Sequence, residues 1–355
     1  MEVFNLTNAP VLISTPKPQV ANTSPYLDEF FMTIKVLSPI SVGTILFGLL
    51  ANTVNIVVFL KAGAKDNVTI LLLSLAVSDL VFLILITPTT CRYVILALAS
   101  SYRLPFDPPI LSFLFYWPAF TAYDLSAYIS VSLGVMRCAC VAMPLKFKFV
   151  FTKSRTIKWV MFLVILAVSL RIPVLTIHRI SWKIDSATNI SSPYLKYVNR
   201  ESMSHVNDIL NRGIIIYINY VTMVTCVCLL TFKLYQAAQI RRSCTSQLPE
   251  SSVDSSAKPD DQGLSSKDLQ VVKSVVLVCT IFILSQLMFL VTSTVRLMSP
   301  EFDSFADLFF LFGIFSQVNL ACSYLNASIN IFVYYNCNTM FRSVFRSVFS
   351  INKKR

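Results

Sequence analysis

The sequence predicts an all-α membrane protein: a bundle of seven transmembrane helices followed by a C-terminal amphipathic helix on the membrane surface. Three observations carry this expectation. Of 355 residues, 55% are hydrophobic and only 14% are charged, which is more apolar surface than a soluble core buries. The charges also leave long gaps: uncharged or nearly uncharged runs cover 36–60, 67–91, 108–136, 159–177, 213–232, 274–295 and 308–341. Each run comes within reach of the roughly 20 helical residues that cross a hydrocarbon core of about 30 Å. Finally, hydrocarbon satisfies no backbone polar group, so the runs read as helices and not as open strands.

Residues 1–35 precede the first run and carry several prolines and the sequons at Asn5 and Asn22. This is the composition of a flexible, glycosylated extracellular tail. The tail has no apolar h-region, so the first span is expected to direct insertion. The seven-helix domain then occupies 36–336. Its second and third runs each hold one carboxylate, Asp79 and Asp124, and its fourth holds Arg171. The arginine interrupts that run, yet an arginine near a helix end can snorkel to the interface, so the run is kept as a span.

The loop 178–212 is long, mixed in charge and carries a third sequon at Asn189. Residues 240–268 are rich in Ser, Pro and Asp, as a disordered cytoplasmic loop is. Its serines fit phosphate acceptors or a plain solvated linker equally well. In 337–349, Met340, Phe341, Val344, Phe345, Val348 and Phe349 share one helical face and Arg342, Ser343, Arg346 and Ser347 the other. That pattern suits a helix lying on the membrane surface. Residues 350–355 form a basic tail.

With the C-terminus cytoplasmic, that side holds 19 basic and 6 acidic residues, and the opposite side 11 and 10. The positive-inside rule selects this orientation, with the N-terminus on the outer side. The net charge of +12 then lies almost wholly on the cytoplasmic side, against anionic inner-leaflet lipid, and calls for no nucleic acid. Of nine cysteines only Cys91 falls near the outer face, so no outer disulfide is expected. The two histidines, His178 and His205, lack metal-ligand spacing, and neither a metal centre nor an enzyme is expected.

Short motifs recur in order along the runs. They are Gly48-Leu49-Leu50-Ala51-Asn52, Leu75-Ala76-Val77-Ser78-Asp79, Met136-Arg137-Cys138 with Pro144-Leu145, Trp159 with Pro173, and Asn326-x-x-x-Asn330-Ile331-x-x-Tyr334 followed by Phe341-Arg342. On these the chain resembles a divergent rhodopsin-like (class A) G-protein-coupled receptor over roughly 36–349. It is similar to invertebrate peptide or chemosensory receptors. The departures are several. Met136 and Cys138 flank Arg137 in place of an acid and a tyrosine, and Ile331 replaces a proline. Ser285-Gln286-Leu287-Met288 stands where the family has C-W-x-P, and Ser112 stands where it has the outer cysteine.

The resemblance implies the plasma membrane with an extracellular N-terminus, and that an extracellular peptide or chemosensory small molecule signals to a heterotrimeric G protein, with arrestin and receptor kinases as further partners. It implies a switch built from Arg137, Asp268, Asn330 and Tyr334, with Arg137 held by Asp268 at rest. The competing reading of Arg137 is an arginine snorkelling at the interface. It also implies a polar pocket at Asp79, Ser126, Asn326, Asn330 and Asn52. That pocket reads either as a sodium site or as a protonated aspartate in an interhelical hydrogen-bond network; no other cofactor is implied.

By depth, the ligand-pocket candidates are Arg92, Tyr123, Asp124, Gln286, Phe289, Arg296, Gln317 and Tyr324. Arg92 and Arg296 suit either a ligand carboxylate or the membrane interface. Ala119 stands at the place of the amine-binding aspartate, and Tyr324 at that of the retinal lysine, which excludes a retinal photoreceptor. The rival class is a seven-helix channel or transporter. Such a protein is expected to show a polar stripe, broken helices or an internal repeat, and none is visible in the sequence.

Overall fold

The structure is a computed structural model that describes residues 26–63, 66–98, 109–143, 147, 149–184, 191–198, 200–245, 266–299, 301–303 and 306–349. Among them, seven helices are long and apolar enough to cross a membrane, a multi-pass architecture. They are α1 (Leu27–Ala62), α2 (Asn67–Leu98), α3 (Pro109–Ala142), α4 (Lys153–Thr176), α5 (in sequence Arg200–Asn207, Asp208–Ile215 and Ile216–Thr245), α6 (Ser266–Met298) and α7 (Phe309–Cys337). A shorter helix, α8 (Thr339–Val348), follows.

Helix ends depart from the uncharged runs where local chemistry extends them. α1 begins at Leu27, well before 36, because Asp28 and Glu29 occupy its first turn and carboxylates stabilise the positive end of a helix. α4 starts where the Thr152 side chain accepts the Arg155 amide, an N-cap. α5 continues to Thr245 and α6 begins at Ser266, so both ends of the segment expected to be disordered are helical. Residues 246–265 and the sequons at Asn5, Asn22 and Asn189 lie outside the described residues.

The bundle is stitched in chain order, α1 to α2, α2 to α3 and α6 to α7, and closed by α7 against α1, with α3 touching α4, α5 and α6. α1, α2 and α7 meet closely at Gly48, where a Cβ would lie 2.2 Å from Ser328 Oγ and 2.6 Å from Leu83 Cδ1. Beside it Asn52 Nδ2 donates to the Ala327 carbonyl at 2.7 Å and the Gly48 carbonyl at 3.0 Å. Across the bundle Trp159 Nε1 donates to Ser132 Oγ at 2.9 Å, joining α4 to α3. One buried apolar layer brings together Leu75, Leu133, Met136, Met223, Cys279 and Phe282. Exposed Leu46, Leu50, Ile84, Ile165, Leu284 and Phe332 face outward, as a lipid-facing surface does.

Two features were not foreseen. The loop after α4 forms an antiparallel hairpin of β1 (His178–Ile184) and β2 (Ser191–Tyr197), registered from His178 opposite Tyr197 to Ile184 opposite Ser191. Its signal was present in the alternation of Arg179 and Lys183 with Ile180, Trp182 and Ile184, the period of a strand. The second is a pair of π-helical stretches, Ser112–Tyr116 in α3 and Asp208–Ile215 in α5. α8 is capped by Asn338, whose Oδ1 accepts the Phe341 amide at 3.0 Å. Phe341 is fully buried, 5.2 Å from the Phe59 ring and 5.7 Å from Tyr334.

Candidate functional site

A π-helical stretch re-aims the side chains that follow it and recurs at functional sites. Here the two stretches flank a cavity of about 80 Å³ enclosed by α3, α4, α5 and α6. Tyr116 and Trp117 reach it from α3, Asn211 and Arg212 from α5, and Gln286 and Phe289 from α6. The space is smaller than the cavity of about 150 Å³ that accepts a benzene ring. A larger ligand therefore needs the helices to part.

The charges of the cavity are internally matched. Asp124 of α3 and Arg171 of α4 form an ion pair, and both line the cavity. The Arg171 guanidinium also sits 5.8 Å from the Trp117 ring. Its side chain is only 8% exposed, so Arg171 does not snorkel to the interface as the sequence suggested. A charge at this depth is satisfied inside the bundle, by the opposite charge of the neighbouring span. Deeper, Gln286 Nε2 donates to the Tyr123 hydroxyl at 3.0 Å, linking α6 to α3.

A second ionic cluster lies beside the cavity. Asp208 pairs with Arg212 and Arg296, each at 3.3 Å, and Arg296 pairs with Asp303 at 3.0 Å. Arg296 therefore holds α6 to α5 and to the segment before α7. Of the eight expected pocket residues, Tyr123, Asp124, Gln286 and Phe289 line the cavity; Arg92, Arg296, Gln317 and Tyr324 are not among its lining residues. Tyr324 instead shares a hydrogen bond with Thr90 of α2 at 2.9 Å. Arg92 is buried with its guanidinium 5.8 Å from the Tyr93 ring, and Gln317 is buried on α7.

Asp79 is fully buried and accepts hydrogen bonds from Ser126 Oγ at 2.6 Å and Asn330 Nδ2 at 3.0 Å. The three residues tie α2, α3 and α7 together. Asn326 is buried one turn earlier on α7. Asn52, grouped with them from the sequence, turns instead to the Gly48 and Ala327 carbonyls. Nearby on α1, Asn52 Oδ1 and both polar atoms of Asn55 are buried without a partner among the described residues. Asp79, Ser126 and Asn330 gather oxygen-bearing side chains at one buried point of the bundle. Among the described residues no group of three or more His, Cys, Asp and Glu side chains is placed to hold a metal.

At the other end of α3, Arg137 is half-buried beside Met136, which is 2% exposed. Tyr334 is buried against Phe59 and Phe341, and its hydroxyl has no hydrogen-bond partner among the described residues. Asp268 lies on the first turn of α6, but its side chain is outside the described residues.

Sequence reasoning missed Arg171, Arg212, Asn207, Asn211, Tyr116 and Trp117 as cavity residues. One signal for Arg171 was available: Asp124 and Arg171 are the lone charges of consecutive runs and have opposite signs. The α5 contribution had no such signal, because it depends on a π-helical stretch that begins before the apolar run. No protein-family model matches this chain, and no curated protein is similar to it.

Proposed function

We propose that this chain is a plasma-membrane receptor, N-terminus outside and C-terminus cytoplasmic, that passes the signal of an extracellular peptide or chemosensory small molecule to a heterotrimeric G protein. The observation that carries this reading is the cavity between α3, α4, α5 and α6, where an ion pair and amide groups meet aromatic rings. Convergent polar groups, Asp124, Arg171, Asn211 and Gln286, stand beside the rings of Tyr116, Trp117, Phe120 and Phe289, and such a convergence of polar and aromatic groups in a concave site is a default ligand-site feature. A conduit needs a continuous polar path, whereas the layer of Leu133, Met223 and Phe282 is apolar and buried. Ligand entry separates helices, and a two-state bundle passes that displacement to its far end.

In this reading Arg137 meets the G protein in the active state and is held by Asp268 at rest, and α8 lies on the inner membrane surface. A sodium ion at the Asp79 cluster would be held by the Asp79 carboxylate, the Ser126 hydroxyl and the amide oxygens of Asn326 and Asn330. It would neutralise the buried carboxylate and favour one packing of α2, α3 and α7.

The test is nucleotide exchange on an added G protein, with the receptor in lipid nanodiscs. Arg137→Ala is expected to abolish exchange at equal receptor level, and Asp268→Ala to raise the basal rate several-fold. Ion flux through receptor-bearing vesicles, with no exchange by the wild-type chain, would sink the receptor reading. An unchanged basal rate in Asp268→Ala would remove the latch alone.

A further inference from the structure

The hairpin between α4 and α5 is a two-stranded sheet whose two edges differ. β2 faces inward: Leu195 is buried and the strand packs against the start of α3. Its edge is also broken by Pro193, which has no amide hydrogen to donate. β1 contains no proline and is exposed along most of its length, with Ile180 at 46%, Trp182 at 69% and Ile184 at 64% exposure. An exposed edge of this kind is a template for another strand.

The register sorts the side chains by chemistry. Arg179 lies opposite Lys196, Ser181 opposite Tyr194 and Lys183 opposite Ser192, so three basic residues share one face. Ile180, Trp182 and Ile184 alternate onto the other. Neither strand contains Asp or Glu. Like charges directly opposite each other destabilise an antiparallel pair, and Arg179 with Lys196 is such a pair. These bases also disfavour a second copy of the hairpin, which would bring more positive charge to the same edge. They favour a strand that carries carboxylates.

We propose that β1 takes an extended acidic peptide as a third strand. Main-chain hydrogen bonds run along the open edge, carboxylates at alternate positions face Arg179 and Lys183, and the intervening apolar side chains pack on Ile180, Trp182 and Ile184. This deepens the receptor reading, on which it rests, by naming the ligand class: a peptide alternating acidic and apolar residues. A peptide does not fit within the cavity of about 80 Å³, so most of its contact is made at the hairpin.

The experiment uses the full-length chain in nanodiscs of neutral lipid and fluorescent peptide pools that alternate Asp or Glu with Val, Ile or Phe. Control pools replace the acids with Lys or carry N-methyl groups on alternate backbone nitrogens, in each of the two registers. The acidic pool is expected to bind about tenfold more tightly than the Lys pool, and one of the two N-methylated registers to lose binding. In the double variant Arg179→Glu with Lys183→Glu the preference reverses toward the Lys pool, which a misfolded variant would not show.

Equal binding of all pools, an acidic preference that survives the charge reversal, or hairpin-dependent binding of anionic vesicles in place of the peptides would overturn the proposal. Nucleotide exchange is measured separately. Exchange driven by another ligand, with the acidic pool silent, removes this inference alone. Strand binding without exchange on any G protein removes the receptor reading alone.

Discussion

Arg171→Leu is expected to lower stability by about 4 kcal/mol, because it leaves the Asp124 carboxylate inside the bundle without its counter-charge. The ion pair joins α3 to α4, with the arginine side chain 8% and the aspartate 26% exposed. Removing one partner costs far more than removing both. The double variant Asp124→Leu with Arg171→Leu should therefore recover most of the loss, since two apolar side chains of suitable volume replace a buried pair at little net cost. Thermal unfolding of the detergent-purified protein, with surface level as a second readout, separates the cases. A single variant as stable as the wild type would show that the pair is hydrated and not structural. The same variants bear on function: if the cavity is the ligand site, the double variant folds but responds to ligand differently, as the Asp124 and Arg171 pair that lines it is gone.

Gly48→Val is the second large effect, expected at about 3 kcal/mol. A Cβ at this position overlaps Ser328 Oγ and the tip of Leu83. Leu83 can rotate away at small cost. Ser328 is less free, since its hydroxyl donates to the Tyr324 carbonyl at 2.6 Å and the Thr44 carbonyl at 3.1 Å. The added carbons therefore push α1 from α7, at the level where Asn52 bonds the Ala327 carbonyl. Ser328→Ala in the Gly48→Val background should return part of the loss, read as an upward shift in unfolding temperature. No recovery would mean that the helices yield elsewhere and that the close approach is not the cause.

Both predictions turn on partners, and partners are where reading the chain and seeing it folded part company. Asp79 shows the easier case. A carboxylate in an apolar run had to find polar company, and Ser126 and Asn330 supply it; the resemblance to the receptor family implied that these residues meet. Asn52 shows the harder one. It belongs to the same depth, yet it faces the α7 backbone, because a side chain's direction on a helix depends on rotation about the axis as well as on height. Arg296 was expected at the outer mouth and is at the margin of the site, but Asp208 and Asp303 occupy it. Those aspartates lie in segments of no recognisable pattern, so their proximity became visible only in three dimensions.

The number and order of membrane-crossing helices follow from the linear sequence. The cost of placing charge and unpaired backbone in hydrocarbon is paid locally, residue by residue, and the gaps between charges record it. Which faces of those helices meet does not follow in this way. The Asp124 and Arg171 pair, the cavity framed by two π-helical stretches and the open edge of β1 all depend on helix rotation, a shift of backbone register and strand pairing. These are settled by packing between segments distant in the chain, where small differences in fit decide among arrangements that the local pattern leaves equivalent.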